Sequence, residues 1–137
     1  NLLVNSNYPL FLTQMLPQFK KKKMVLICSK DAKFDKLPFE VTKDFRVGKN
    51  CIVNDHHLEE EVKNWISSND VKDHIFLFSA SSLSEILIHK LFDFNDNNTY
   101  IDIGTTLHWH FELGIERDYL RAYWSYSGHP DLYKDCN

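Results

Sequence analysis

The chain is poor in the residues that punctuate or staple a fold. Four Gly, four Pro and three Cys among 137 residues leave no collagen-like repeat, no Pro-rich linker and no disulfide framework. Cys28, Cys51 and Cys136 stand far apart without a C-x-x-C pair, which reads as reduced thiols and sets the expected location as cytoplasmic. No apolar run approaches the roughly 18–20 residues of a bilayer-spanning helix. Positive charge is not in excess either: 16 Lys and Arg face 19 Asp and Glu, a net charge of -3, so no nucleic-acid partner is expected. Neither G-x-G-x-x-G nor the P-loop pattern occurs. The chain opens on Asn1-Leu2-Leu3-Val4 with no initiator Met and no basic leader.

What is present is an ordinary globular composition, 43% hydrophobic and 14% aromatic, of a length that suits one domain over residues 1–137 with a polar tail from about residue 125. Short apolar runs alternate with stretches of helical period. Leu2–Val4 reads as a strand core, Met24–Cys28 as a strand buried on both faces, and 39–47 as a weaker strand region ending at Gly48. Ile75–Phe78 and Tyr100–Ile103 complete five strands. Helical spacing joins Phe11, Leu12, Met15, Leu16 and Phe19 after the N-cap candidates Asn5-Ser6-Asn7, and a Lys run, Lys20 to Lys23, would end that helix. Leu58, Val62, Trp65 and Ile66 share a face of a helix capped by Asn54 or Asp55 and running to about Ser68. Ser82 and Glu85 have capping-box spacing before a stripe of Leu83, Ile86, Leu87 and Leu91, and a last helix is expected over Ile115–Trp124. Strands alternating with helices predict an α/β fold: a Rossmann-like three-layer sandwich with a mostly parallel sheet of about five strands. A strand core at the first residues further suggests an N-terminally truncated fragment. Its exposed edge would favour self-association, so a homo-oligomer is expected.

In open α/β sheets ligands bind beyond the carboxyl ends of the strands. Those ends carry Ser29 and Lys30, the turn Ser79-Ala80-Ser81-Ser82, and Gly104-Thr105-Thr106. The Ser turn at a helix start offers hydroxyls and backbone N–H groups to a phosphate or carboxylate, although Ser82 could simply cap its own helix. Asp102 sits among apolar neighbours, where a carboxylate must be hydrogen-bonded, metal-bound or open to a cleft. Strand alternation puts it on one face with Tyr100 and near the Ser turn. Thr105 and Thr106 could bond a ribose or phosphate, or could close the turn. His108 and His110 flank Trp109 and would point the same way on an extended segment, a possible metal pair lacking a third ligand unless His56 or His57 supplies it. The other reading is an aromatic-rich surface with Trp109 available for ring stacking. Arg117 and Arg121, four apart, could reach a diphosphate or pair with Glu116 and Asp118. Cys28, at the end of an apolar strand, reads as a small buried thiol.

Three stretches together resemble a known family. They are 23–28, the segment Asn54-Asp55-His56-His57-Leu58, and the run from 75–82 to Tyr100-Ile101-Asp102-Ile103-Gly104-Thr105-Thr106. Their order is similar to the later part of bacterial glycosyltransferases with the D-type Rossmann-like fold. The resemblance implies a nucleotide-sugar donor, surface polysaccharide synthesis, and a divalent cation such as Mn or Mg held by an upstream Asp-x-Glu motif. It also implies that Ser79, Ser81, Ser82, Thr105, Thr106 and His108 contact the donor and that Asp102 is catalytic, orienting a ribose, a sugar or metal-bound water. The chain contains neither Asp-x-Glu nor Asp-x-Asp, and Ser-Ala-Ser-Ser replaces the Gly-Pro-Thr-like turn of that family. The other expectation is a non-catalytic Rossmann-like module binding a small anionic ligand or a protein partner.

Overall fold

The computed structural model describes residues 2–125, so Cys136 and the expected polar tail beyond Ser125 lie outside it. Its centre is strand β1 (Lys23–Ser29), in which Met24 to Cys28 are each no more than 1% exposed. A strand buried on both faces needs a neighbour on each edge and a layer above and below. Strands β2 (Val41–Val47) and β3 (His74–Phe78) pair with it in parallel on either side, and β4 (Thr99–Asp102) pairs in parallel with β3. The order is β2-β1-β3-β4, an α/β fold with an all-parallel sheet.

Alternation along β1 sends its side chains into two cores. Val25 and Ile27 join Phe45, Phe76 and Phe78 in the first, which is closed by Leu58, Val62 and Ile66 of one helix and Leu83, Leu87 and Leu91 of another. Met24, Leu26 and Cys28 join Leu77 in the second, covered by Tyr8, Phe11, Phe19, Leu107, Phe111 and Leu120. Each fully buried aliphatic or aromatic side chain contributes about 1.5–3 kcal/mol, so both layers are needed to hold the sheet. Burial also pushes the Cys28 thiol up to about 12, which leaves it a packing group.

Several local expectations are corrected. Leu2–Val4 is no strand: α1 spans Leu2–Ser6 and α2 spans Tyr8–Leu10, so the sheet has four strands among the described residues rather than about five. Three apolar residues carry no period that separates helix from strand, and the exposed strand edge on which self-association was expected is absent with it. The helical spacing of 11–19 is real, but the segment is wound as a π-helix over Phe11–Met15 and a 3₁₀-helix over Leu16–Lys21. The next helical stretch is two helices, α3 (Cys51–Asn54) and α4 (Leu58–Ser68). Asp55 lies between them and accepts the Gly48 N–H at 2.9 Å instead of capping a helix. Helix α5 runs Leu83–Phe94, and Ile86 on it is 39% exposed while Ile88 packs inward. Ser82 makes no side-chain cap; the Ser84 hydroxyl accepts the Ala80 N–H at 3.0 Å in its place. The last helix, α6 (Asp118–Trp124), starts later than expected, because residues 104–112 form successive turns. No described helix is long and apolar enough to cross a membrane.

Those turns bury His110, 6% exposed, with its Nδ1 unpartnered and its ring edge-on to Trp109 and Trp124. Desolvation lowers its pKa to about 4. Between pH 6.5 and about 4 the unfolded chain therefore binds a proton that the folded chain refuses, and stability falls as the pH drops. Urea titrations near pH 7 and near pH 4.5 should show the wild type losing about 2–3 kcal/mol more than His110→Phe. Parallel losses in the two proteins would contradict the buried neutral imidazole.

Candidate functional site

Parallel pairing brings every strand's carboxyl end to one edge of the sheet. The connection from β1 goes to β2 on one side, whereas that from β3 goes to β4 on the other, so the chain parts between the ends of β1 and β3. A crevice opens at such a switch point. Here it is a cleft of about 1210 Å³, large enough for a nucleotide-sized ligand. Its floor is Ser29 at the end of β1, Gly48, Lys49 and Cys51 after β2, the Ser79–Ser82 turn after β3, and Asp102 at the end of β4 with Gly104 and Thr105 beyond it. The loop from β4 to α6 adds His108, Leu113, Glu116 and Arg117 as one wall, continued by Asp118 and Tyr119.

The Ser turn is a tightly bonded corner. The Ser79 N–H extends the ladder to the Ile27 carbonyl at 2.8 Å, and its hydroxyl donates to the Gly104 carbonyl at 2.6 Å, tying the β3 turn to the β4 turn. Cys51 donates its thiol to the Ala80 carbonyl at 3.2 Å, and burial raises its pKa. Ser81 stands in the left-handed region with φ 51°, followed by exposed Ser82. Glu85, one turn into α5, faces the same cleft. Asp102 accepts the Gly104 N–H on Oδ1 at 2.9 Å, which closes the turn after β4 and holds the carboxylate at the rim.

Of the residues singled out in the sequence, Ser79, Ser81, Ser82, Asp102, Thr105 and His108 meet in this cleft. Thr106 does not. It is fully buried, its hydroxyl donates to the Ile103 carbonyl, and its own carbonyl accepts the Tyr8 hydroxyl at 3.2 Å. Thr106 thus anchors the N-terminal helices to the β4–α6 loop. The Asp102 alternation is as expected: Tyr100 packs on the first core, Ile101 and Ile103 on the second.

The paired-His expectation is overturned, since the turns over 104–112 send His108 to the cleft and His110 into the interior. Nor is Trp109 available for stacking: Trp124 lies 3.7 Å from it at 4°, and Lys36 sits over its ring. Burial and the nearby Arg117 lower the pKa of His108, with Glu116 opposing, so its imidazole is neutral at pH 7. Arg121 is an exposed surface pair with Asp118, whereas Arg117 belongs to the cleft. Thr105 and Tyr119 share a hydrogen bond of 2.7 Å at the same wall. Sequence reasoning missed Lys49, Cys51 and Asn5 as cleft residues; the only signal for the first two was their position just after a strand end.

The divalent cation that the resemblance implies does not fit this donor set. Among the described residues no group of three His, Cys, Asp or Glu side chains comes together to hold a metal ion.

Ser81 gives a check on the corner itself. A β-branched side chain clashes in the left-handed region whereas Gly does not, so Ser81→Val should cost about 1–3 kcal/mol and Ser81→Gly less than about 1 kcal/mol. Equal denaturation midpoints for Ser81→Val and the wild type would contradict the strained turn. No family model, curated protein or solved structure matches the chain, so the cleft is read from its own residues.

Proposed function

We propose that the chain is a relative, or a portion, of a sugar-nucleotide-dependent glycosyltransferase of surface polysaccharide synthesis, with the cleft as its donor site. The observation that supports this most is the gathering of Ser79, Ser81, Ser82, Asp102, Thr105 and His108 at the parting of β1 and β3. A sugar nucleotide offers many hydroxyl donors, for which a carboxylate is a strong acceptor. Asp102 lines the cleft, and its Oδ1 accepts the Gly104 N–H, which orients the carboxylate. The Ser79–Ser82 corner supplies small side chains beside the start of α5, so a ligand can approach it closely.

A second reading, a non-catalytic module that binds a small anionic ligand, draws support from the donor set. The described residues offer binding groups for a diphosphate but no triad to hold a metal ion against it.

Thermal unfolding in the presence of UDP, GDP, CMP and dTDP sugars, each with and without Mn²⁺, tests the donor reading. At about 100 times its dissociation constant a bound ligand stabilises the chain by about 2.7 kcal/mol, a rise of several degrees. Asp102→Asn keeps an acceptor for the Gly104 N–H but removes the charge, so it should lose the ligand-induced rise, measured against its own ligand-free unfolding temperature. No rise with any sugar nucleotide would refute a donor site. A rise that survives Asp102→Asn would favour the second reading.

A further inference from the structure

The two sides of the cleft differ in what they offer an anion. On the α5 side the Ser79 hydroxyl already donates to Gly104, the Ala80 N–H already donates to Ser84, and the carboxylates of Glu85 and Asp102 line the cleft, with Lys49 as the cation of the turn after β2. A dianion placed there meets like charge, which costs more the less water remains between the groups. The wall built by the β4–α6 loop is different. Arg117 lines it and, among the described residues, its guanidinium makes no ion pair; Asp118 beside it is engaged by Arg121 at 2.6 Å. His108 lines the same wall with no hydrogen bond from its ring to the described residues. Thr105 and Tyr119 share one hydrogen bond between two hydroxyls, so one O–H of the pair remains for a ligand.

We propose that Arg117, His108 and the Thr105–Tyr119 hydroxyl pair hold the phosphate group of the cleft's ligand. This rests on the reading of the cleft as a nucleotide-sugar site and assigns the wall that takes the phosphate. A permanently charged guanidinium, an imidazole able to become a second cation and a spare hydroxyl supply charge and donors to a tetrahedral dianion. The sign of the local field agrees. Two charged groups act on the imidazole, Arg117 and Glu116. Arg117 acts on His108 more strongly than Glu116 does, so the ring sits in a net positive potential. A bound dianion reverses that potential and favours the protonated ring. By linkage, anion affinity must then rise as the pH falls.

Inorganic sulfate is the probe, because its own charge is constant across the range, and chemical shifts of the full chain give its affinity at fixed ionic strength. Between pH 7.5 and pH 5.5 the wild type should bind sulfate about threefold or more tightly at the lower pH. His108→Gln should bind with no pH dependence, and Arg117→Met should bind about tenfold more weakly at both pH values. Arg117→Lys, which keeps the charge, should recover part of the loss. UDP, GDP, CMP and dTDP, and separately glucose 1-phosphate, are then used to displace the sulfate. Displacement by a nucleotide assigns the site to the donor's diphosphate. Displacement by glucose 1-phosphate alone upholds the phosphate site and refutes the nucleotide reading. Nucleotide binding that is insensitive to both Arg117→Met and His108→Gln upholds the nucleotide reading and overturns this assignment. Absence of sulfate binding at both pH values overturns it as well.

Discussion

Strand β1 is buried on both faces, and the architecture follows from what that requires. Five consecutive apolar side chains, Met24 to Cys28, cannot be left to water, so each face needs a covering layer and each edge a partner strand. Both partners run parallel to β1, and β4 runs parallel to β3. Parallel strands force the chain to return to the same starting edge before each pairing. Every departure from the sheet therefore occurs at the opposite edge. The cleft is the geometric result: four strand ends, a parting of the chain between β1 and β3, and a loop long enough to wall it.

That loop, from Ile103 to Arg117, is fixed by polar and aromatic ties rather than by regular structure. Thr106 and Tyr8 bond it to the N-terminal helices, and the Lys33 N–H donates to the Phe111 carbonyl at 3.0 Å. Glu112 lies 3.1 Å from both Lys33 and Lys36, exposed pairs that add little individually but hold the loop against the β1–β2 connection. Trp109 stacks on Trp124, whose indole N–H donates to the Tyr8 hydroxyl at 2.9 Å. Long loops without regular structure are uncommon in small domains unless they serve a site. This one places Thr105, His108 and Arg117 at the cleft while burying Leu107, His110 and Phe111.

The sheet was legible where the signal was a long apolar run, as at 24–28 and 75–78, because burial on both faces leaves a mark no amphipathic helix shares. It was illegible at Leu2–Val4, where three residues define no period, and at the helix starts. Ser82 with Glu85 has capping-box spacing, yet the hydroxyl that bonds the turn belongs to Ser84, and Asp55 bonds Gly48 instead of a helix end. Side-chain hydroxyls and carboxylates two or three positions apart compete for the same N–H groups, and tertiary packing chooses among them. Asp102 was placed correctly because alternation along a strand is a strict rule. The same rule does not hold at His108 and His110, because their segment turns instead of extending. Lys49 and Cys51 depend on where β2 ends relative to β3, which only the assembled sheet decides.

On the reading proposed above, the carboxyl edge of this sheet is the surface at which the chain meets its ligand. Backbone amide shifts recorded while the pooled sugar nucleotides are titrated in would test it most directly. The account predicts changes concentrated at Gly48 to Cys51, Ser79 to Ser82, Gly104 to His108 and Arg117 to Tyr119. Changes concentrated instead on the exposed apolar positions of α5, Phe92 and Phe94, or no changes at saturating ligand, would contradict it.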